Sequence, residues 1–350
     1  MGIKTTIIKP YIRKVAKQTQ QWLKNAVSAQ ETMARLLIDR SVLTEFGKEH
    51  QFQKIVTYKD FVAQIPIRTL ADYKPYLDKI ANGDKDVTWP SKPRYLVSDN
   101  AYDGFLFPVT RESIGHFYEA GRDAVFNYAS LMPDPSFIEG KIIYLPAYQK
   151  YEKIGGITCA NLNWIASKYI PSWTKTGKIP SFHESQITPD QDRILTIANK
   201  SKQKGATMLV GSPDQILFYH QALTNGKGTI KDHLAKLQCV LTGPITNDQR
   251  QSLSERIGAF PDIISSLVTP MGYIGFQDDV RQSSYLLNVA NGMYFEFAPL
   301  TAPKERFWLK QIELNTPYKL IISTNAGLWS VDTDLTIQFV QFNPFKFILL

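Results

Sequence analysis

The side chains best suited to chemistry are thinly spread in this 350-residue sequence. The five histidines, His50, His116, His183, His220 and His233, form no HxH, HExxH or Cys/His pattern, so no metal site is specified. Cys159 and Cys239 stand far apart and make neither a CxxC pair nor a disulfide framework, which implies a reducing, cytoplasmic compartment. No GxSxG or GxGxxG occurs, and Ser98 has none of the elbow residues that expose a hydrolytic serine. The clearest charge feature is at the start. Residues 1–30 carry Lys4, Lys9, Arg13, Lys14, Lys17 and Lys24 with no acidic residue, six of the excess charges behind a net +8. A nucleic-acid-facing or lipid-facing helix is one reading, but with only Tyr11 and Trp22 between the cations the solvated helix face is the preferred one, and no nucleic-acid partner is expected.

The elements that must position any site follow from composition and periodicity. With 43% apolar and 21% charged residues the chain can build a large core, and no apolar stretch approaches the roughly 18–20 residues needed to cross a bilayer. The first fifty residues read as helical, with Met33, Leu36, Leu37 and Ile38 near helical spacing. A second helix is expected over Ala71–Ala81, stopped by Gly83. Between residues 140 and 270, short strands (Ile142–Leu145, Ala206–Val210, Cys239–Leu241, Asp262–Val268) alternate with helices (Ile194–Lys204, Pro213–Ala222, Asp248–Ile257), the pattern of crossover units on a parallel sheet. Beyond residue 270, Tyr273–Gln277, Tyr285–Val289, Met293–Phe297, Lys319–Ser323 and Thr336–Phe342 read as successive, mostly antiparallel strands, with Asn291-Gly292 as a hairpin signal. The closing "FKFILL" is either a buried last strand or the edge of something lost.

Ordered blocks along the chain resemble the auxin-responsive promoter family of acyl-acid amido synthetases. They are Thr44–Leu96, "FPVTRESI" (Phe107–Ile114), "GSPDQILFYHQAL" (Gly211–Leu223), "CVLTGP" (Cys239–Pro244), "GYIGFQDD" (Gly272–Asp279), "NGMYFEFAPL" (Asn291–Leu300) and "YKLIISTNAGLW" (Tyr318–Trp329), together spanning roughly Gln30 to Phe345. The resemblance implies an α/β fold, the large N-terminal domain of the adenylate-forming (acyl-CoA synthetase/luciferase-like) type, with parallel sheets, helices and a β-rich C-terminal subdomain. It divides the chain into a basic helical extension (1–30), an α/β part (30–270) and a β-rich part (271–350). It also implies Mg-ATP as the family's cofactor, a small carboxylic acid as ligand, and transfer of the activated acyl group to an amine.

Held against that family's three nucleotide motifs, this sequence departs at each. The phosphate loop is replaced by "VSDNAYDGFLFPVT", where only Ser98 and Gly104 suit a phosphate, Asn100 is neutral, and Asp99 and Asp103 would face a triphosphate with like charge. In "LVTPMGYIGFQ", with Thr269 and Tyr273 among the motif positions, Gly272 is kept, but Pro270 stands where the family has a serine and Met271 where it has a glutamate, and a thioether does not ligate Mg²⁺. Asp278 and Asp279 could substitute, or could end the strand in a solvated turn. The third motif keeps Asn325, Gly327 and Trp329 and then runs "SVDTDLT", leaving Asp332 or Asp334 to reach a ribose. By the same resemblance the acyl pocket would involve the Gly155-Gly156 turn, Trp164 and Tyr219, with Tyr169, Trp173 and Phe182 nearby; each of these aromatics could equally be ordinary core or surface. The chain stops at Leu350, where the family's small closing domain would begin. From these departures the expectation is a catalytically degenerate homologue, a pseudoenzyme that retains an acid-binding pocket or acts through a protein partner; the alternative is an active acyl-adenylate-forming ligase.

Overall fold

The computed structural model describes residues 3–146, 151–169, 177–259 and 261–350. Helices α1 (Ile3–Lys24) and α2 (Ala26–Ser41) open the chain, and the short α3 (Glu45–Glu49) and α4 (Tyr58–Gln64) lead to α5 (Leu70–Ala81). Thr57 and Thr69 start α4 and α5 with reciprocal capping boxes to Asp60 and Asp72, so local sequence sets both entry points. Strands β1 (Tyr95–Ser98) and β2 (Leu106–Val109) form an antiparallel hairpin, followed by α6 (Arg111–Leu131). Next come β3 (Lys141–Tyr144), β4 (Glu152–Ile154), β5 (Ile157–Ala160), α7 (Leu162–Tyr169) and β6 (Lys178–Ile179). The helix–strand alternation continues through α8 (Asp190–Lys204), β7 (Ala206–Val210), α9 (Pro213–Thr224), α10 (Ile230–His233), β8 (Cys239–Thr242), α11 (Asn247–Ile257) and β9 (Asp262–Thr269). The rest is β: β10 (Gly272–Phe276), β11 (Tyr285–Leu287), β12 (Met293–Pro299), β13 (Phe307–Trp308), β14 (Pro317–Thr324), β15 (Val331–Gln341) and β16 (Lys346–Leu349).

One twelve-stranded sheet runs in the order β13-β12-β14-β15-β16-β11-β10-β9-β8-β7-β3-β6, and β2-β1-β5-β4 form a second. Strands β6, β3, β7, β8 and β9 pair in parallel, as the alternation of helices and strands requires. At β9–β10 the pairing turns antiparallel and stays so to the far edge. The strand β16 lies between β15 and β11 with Phe347 fully buried, so of the two readings left open for "FKFILL" the structure shows the buried strand.

Two expectations need correction. Asn291-Gly292 is not a hairpin, because β11 and β12 are separated in the sheet by β14, β15 and β16. Gly292, at φ +75°, is there for close approach: a Cβ would lie 2.1 Å from His116 Nδ1. The final long strand begins at Val331 rather than Thr336, because Arg68 bridges its start, Arg68 N–H to Ser330 O at 3.0 Å and Asp332 N–H to Arg68 O at 2.8 Å. No described helix is long and apolar enough to cross a membrane.

Candidate functional site

The first turn of α6 anchors the site. Thr110 caps that helix by accepting the Ser113 N–H at 3.0 Å, and its own hydroxyl donates to Asn325 O at 2.9 Å. One side chain thus ties the helix start to the turn between β14 and β15. That turn is pinned on every side. Asn325 N–H donates to Gly292 O at 2.9 Å, and the Asn325 side-chain amide meets His116 Nδ1 at 2.6 Å. Gly327, at φ +90°, lies so close to Thr88 that a Cβ would sit 2.3 Å from its hydroxyl, and the buried Tyr73 hydroxyl donates to Gly327 O. Trp329 is fully buried, donates its indole N–H to Thr88 O at 3.1 Å and meets Phe52 edge-on at 4.6 Å. A narrow cavity of about 10 Å³ lies beside Ala326, Thr88, Trp89 and Thr110, room for a single water.

The β9–β10 hairpin closes on the same place. Met271 is buried in the core and Thr269 Oγ1 accepts its N–H at 3.2 Å, while a Cβ on Gly272 would sit 2.2 Å from Met293 Sδ. The Tyr273 hydroxyl meets Ser266 Oγ at 2.7 Å, and burial pushes its phenol up to about 12. Gln30 of α2 ties the segment down, donating to Val289 O at 2.8 Å and Met293 O at 2.9 Å and accepting the Phe295 N–H at 2.8 Å. Residues 110–116, 271–273, 291–293 and 325–329 therefore converge.

Ser98–Gly104 is a compact turn between β1 and β2. Asp99 accepts the Ala101 N–H at 2.9 Å, and Asp103 and Gly104 both take positive φ, +42° and +77°. Burial raises the Tyr102 phenol above its ordinary value, and the carboxylates of Asp99 and Asp334 push it the same way, so this turn and the end of the third motif feel each other electrostatically. The two acids there differ. Asp332 is buried and pairs with Lys319 at 2.7 Å, also accepting the Asp334 N–H at 2.9 Å, whereas Asp334 is exposed. Asp278 pairs with Lys346 at 2.9 Å and Asp279 with Arg281 at 3.0 Å, which favours the strand-ending reading of both. Just beyond Trp329, Ser330 donates to the fully buried Glu296 at 2.8 Å, which pairs with the buried Arg306 at 3.2 Å; burial raises the Glu296 pKa and Arg306 opposes it.

Of the residues expected to line an acyl pocket, Trp164, Tyr169 and Phe182 lie near one another, Lys168 covering both Trp164 and Phe182 and Tyr95 meeting both Trp164 and Tyr169, whereas the Gly155-Gly156 turn and Tyr219 lie elsewhere. Gly155 (φ +54°) and Gly156 (φ +76°) form the two-residue turn joining β4 and β5, and the close approach they allow is to the end of α5, where a Cβ on Gly155 would lie 1.9 Å from Ala81 O. Trp164 sits on α7 against Tyr151 (5.0 Å) and under Lys168 (4.4 Å). Tyr219 is fully buried in a different apolar cluster, its hydroxyl 2.6 Å from Ser201 Oγ. Trp173 lies outside the described residues. Conversely, the sequence offered no sign of His116, Gly292 or Gln30 as partners. His116 and Asn325 are 209 residues apart, and no local pattern marks such a pair.

Comparison with known proteins decides the family. Residues 15–211, more than half of the chain, match the GH3 family N-terminal domain, and residues 286–348 match the GH3 family central domain. The chain belongs to the GH3 family. A curated GH3 relative, an indole-3-acetic acid-amido synthetase of Arabidopsis thaliana, is 27% identical over 224 residues, which is 61% of this chain and 38% of that protein. Among solved structures, a GH3 acyl acid amido synthetase in complex with 2,4-DB superposes on 95% of this chain and 69% of its own, with a TM-score of 0.78 at 15% identity. A 2-hydroxyisobutyryl-CoA ligase in the thioesterification state superposes on 92% of this chain and 66% of its own, with a TM-score of 0.63 at 10% identity. The adenylate-forming fold is thereby established, with its β-rich C-terminal region.

These matches overturn three expectations. The departures at 98–104, 269–272 and 330–335 do not make the chain a degenerate homologue or pseudoenzyme, because both GH3 domain models match and the likeness to ligase folds runs the length of the chain. A degenerate nucleotide motif is likewise the wrong description: single substitutions weigh heavily in a motif comparison and little in a pattern spread over two domains. The expectation of a truncated C-terminal part is corrected too, since the GH3 central-domain match extends to residue 348, and the chain spans 38% of the curated relative and 69% of the solved synthetase.

Proposed function

We propose that this GH3 protein is an ATP-dependent ligase that activates a small carboxylic acid as its acyl-adenylate and passes the acyl group to an amine. The observation that carries the reading is the match of both GH3 domains, over residues 15–211 and 286–348. The names of the relatives point the same way, since each denotes an enzyme that joins an acid to an acceptor. In the first step a carboxylate oxygen attacks the α-phosphorus of ATP and pyrophosphate leaves. In the second the amine nitrogen bonds to the acyl carbon, AMP departs, and the amine proton passes to solvent.

On this reading the nucleotide side is made by the three motif segments, the Ser98–Gly104 turn, 271–273 and 325–329 with Asp334, and the side left to the acid is made by 110–116 and 291–293, which pack against them. The chain's residues form no cage for a metal: no group of three or more His, Cys, Asp or Glu side chains is so arranged among the described residues, Met271 offers no oxygen, and Asp278 and Asp279 are engaged by Lys346 and Arg281. Mg²⁺ would arrive as the ion that accompanies the nucleotide. What this chain supplies is positioning: rigid turns, buried aromatic support behind Trp329, and neutral hydrogen-bond donors. The free, buried Cys159 and Cys239 are in keeping with a reducing, cytoplasmic setting. The test is carboxylate-dependent exchange of labelled pyrophosphate into ATP across aliphatic and aromatic acids. Exchange with at least one acid is the expected result, and none across the panel overturns the reading.

A further inference from the structure

We infer that His116 binds the carboxylate of the acid substrate through its Nε2–H, and that Asn325 is the positioning residue that fixes this tautomer. The inference deepens the ligase reading and rests on it. Its basis is the geometry at the convergence of four segments. Asn325 has no freedom of place: its backbone N–H donates to Gly292 O at 2.9 Å, and its backbone carbonyl accepts from Thr110 at 2.9 Å. Its side-chain amide N–H is aimed at His116 Nδ1 at 2.6 Å. A ring nitrogen that accepts a hydrogen bond carries no proton, so the imidazole proton resides on Nε2.

Nε2 lies on the opposite edge of the ring from Nδ1. It has no hydrogen-bond partner among the described residues, and it is not among the buried unpartnered atoms, so it is open to a ligand. Gly292 is what lets the ring sit there, because a side chain at 292 would occupy the space of Nδ1. Burial lowers the His116 pKa, against the pull of Glu119 and Glu112 on the same helix, which supports a neutral ring at neutral pH. A neutral donor suits this place: it recognises a carboxylate without forming a tight ion pair that would hold back the very oxygen that must attack phosphorus.

The chemistry that Nε2–H recognises is an anionic oxygen, which a carboxylate or a phosphate could supply, and the experiment separates them. In the full chain with ¹⁵N-labelled histidine, the His116 signal is assigned by its loss in His116→Gln. The expected spectrum is that of a neutral Nε2–H tautomer, and its Nε2 resonance moves on titration with benzoate or butyrate but not with AMP. In the exchange assay, His116→Leu should raise KM for the acid about tenfold to a hundredfold with a smaller change in kcat, and His116→Gln, which keeps an N–H donor, should recover most of it. Asn325→Asp replaces the donor to Nδ1 by an acceptor and should move the proton to Nδ1, a spectroscopic change that a merely structural role would not produce. An Nδ1–H tautomer in the parent protein, or a response to AMP alone, overturns the inference. If exchange is robust and unaffected by His116→Leu, the inference fails while the ligase reading stands. If no exchange occurs yet the carboxylates still move Nε2, the ligase reading fails and the binding role of His116 stands.

Discussion

Gly292→Ala tests the convergence at its tightest point. The new methyl carbon would lie 2.1 Å from His116 Nδ1, 2.5 Å from Asn325 Nδ2 and 2.7 Å from Asn325 Cγ, all far inside contact distance. The residue also holds φ +75°, a left-handed conformation that costs an L-residue roughly 1–2 kcal/mol. Forcing a carbon into an occupied site adds about 1–3 kcal/mol. The expected loss is therefore about 2–5 kcal/mol, read as a shift in the urea midpoint at unchanged slope. The two contributions separate in a double-mutant cycle. In the His116→Ala background the ring is gone and Asn325 can turn aside, so Gly292→Ala should cost only the backbone share, and the pair should fall short of additivity by about 1 kcal/mol or more. Additivity within about 0.5 kcal/mol, or a single-mutant loss below about 1 kcal/mol, would refute the reasoning.

Three further outcomes are expected. Trp329→Ala removes a fully buried indole packed on Phe46 and Phe52 and should destabilise by about 3–5 kcal/mol in calorimetry or denaturant titration. Glu296→Ala leaves Arg306 buried without its counter-charge and should lose about 3–5 kcal/mol, whereas replacing Glu296, Arg306 and Tyr58 together by apolar residues should lose markedly less. Near neutral pH, stability should fall on acidification. His50 is buried, its Nδ1–H donates to Phe46 O at 2.9 Å, and its Nε2 accepts from Arg68 at 2.7 Å. Burial lowers its pKa, and Arg68 lowers it further, against the backbone bond and Glu49. The unfolded chain then binds the proton first, so this contribution is complete above the unfolded value of 6.5 and is lost as pH falls below it toward the folded value. Urea midpoints across this range should show that slope, and His50→Gln should flatten it.

Elements whose signal is local were legible in the sequence. The alternation of apolar strands with capped helices between Lys141 and Thr269 is a period-and-punctuation pattern, and the parallel pairing of β3, β7, β8 and β9 follows from it. Ser212-Pro213 and Thr246 announce α9 and α11 by capping boxes. What failed was meaning that depends on distant partners. Asn291-Gly292 carries a hairpin signature, yet its glycine serves His116 and Asn325. Gly155-Gly156, read as an approach to a ligand, is a two-residue turn against Ala81. Met271, weighed as a missing oxygen ligand, is a buried side chain of the main apolar cluster. No spacing rule reaches from residue 116 to 325, so the pair at the centre of the candidate site emerges only when the sheet assembles it.

The most direct test of the ligase reading follows an oxygen atom. The protein is incubated with ATP, Mg²⁺, an amine and a carboxylic acid labelled with ¹⁸O in both carboxylate oxygens, and the AMP is analysed by mass spectrometry. Adenylation followed by acyl transfer predicts AMP carrying one ¹⁸O, because the oxygen that attacks phosphorus stays with phosphate when the amine takes the acyl carbon. Conversion of the acid to amide with unlabelled AMP, or no acid-dependent AMP with any acid tried, contradicts it.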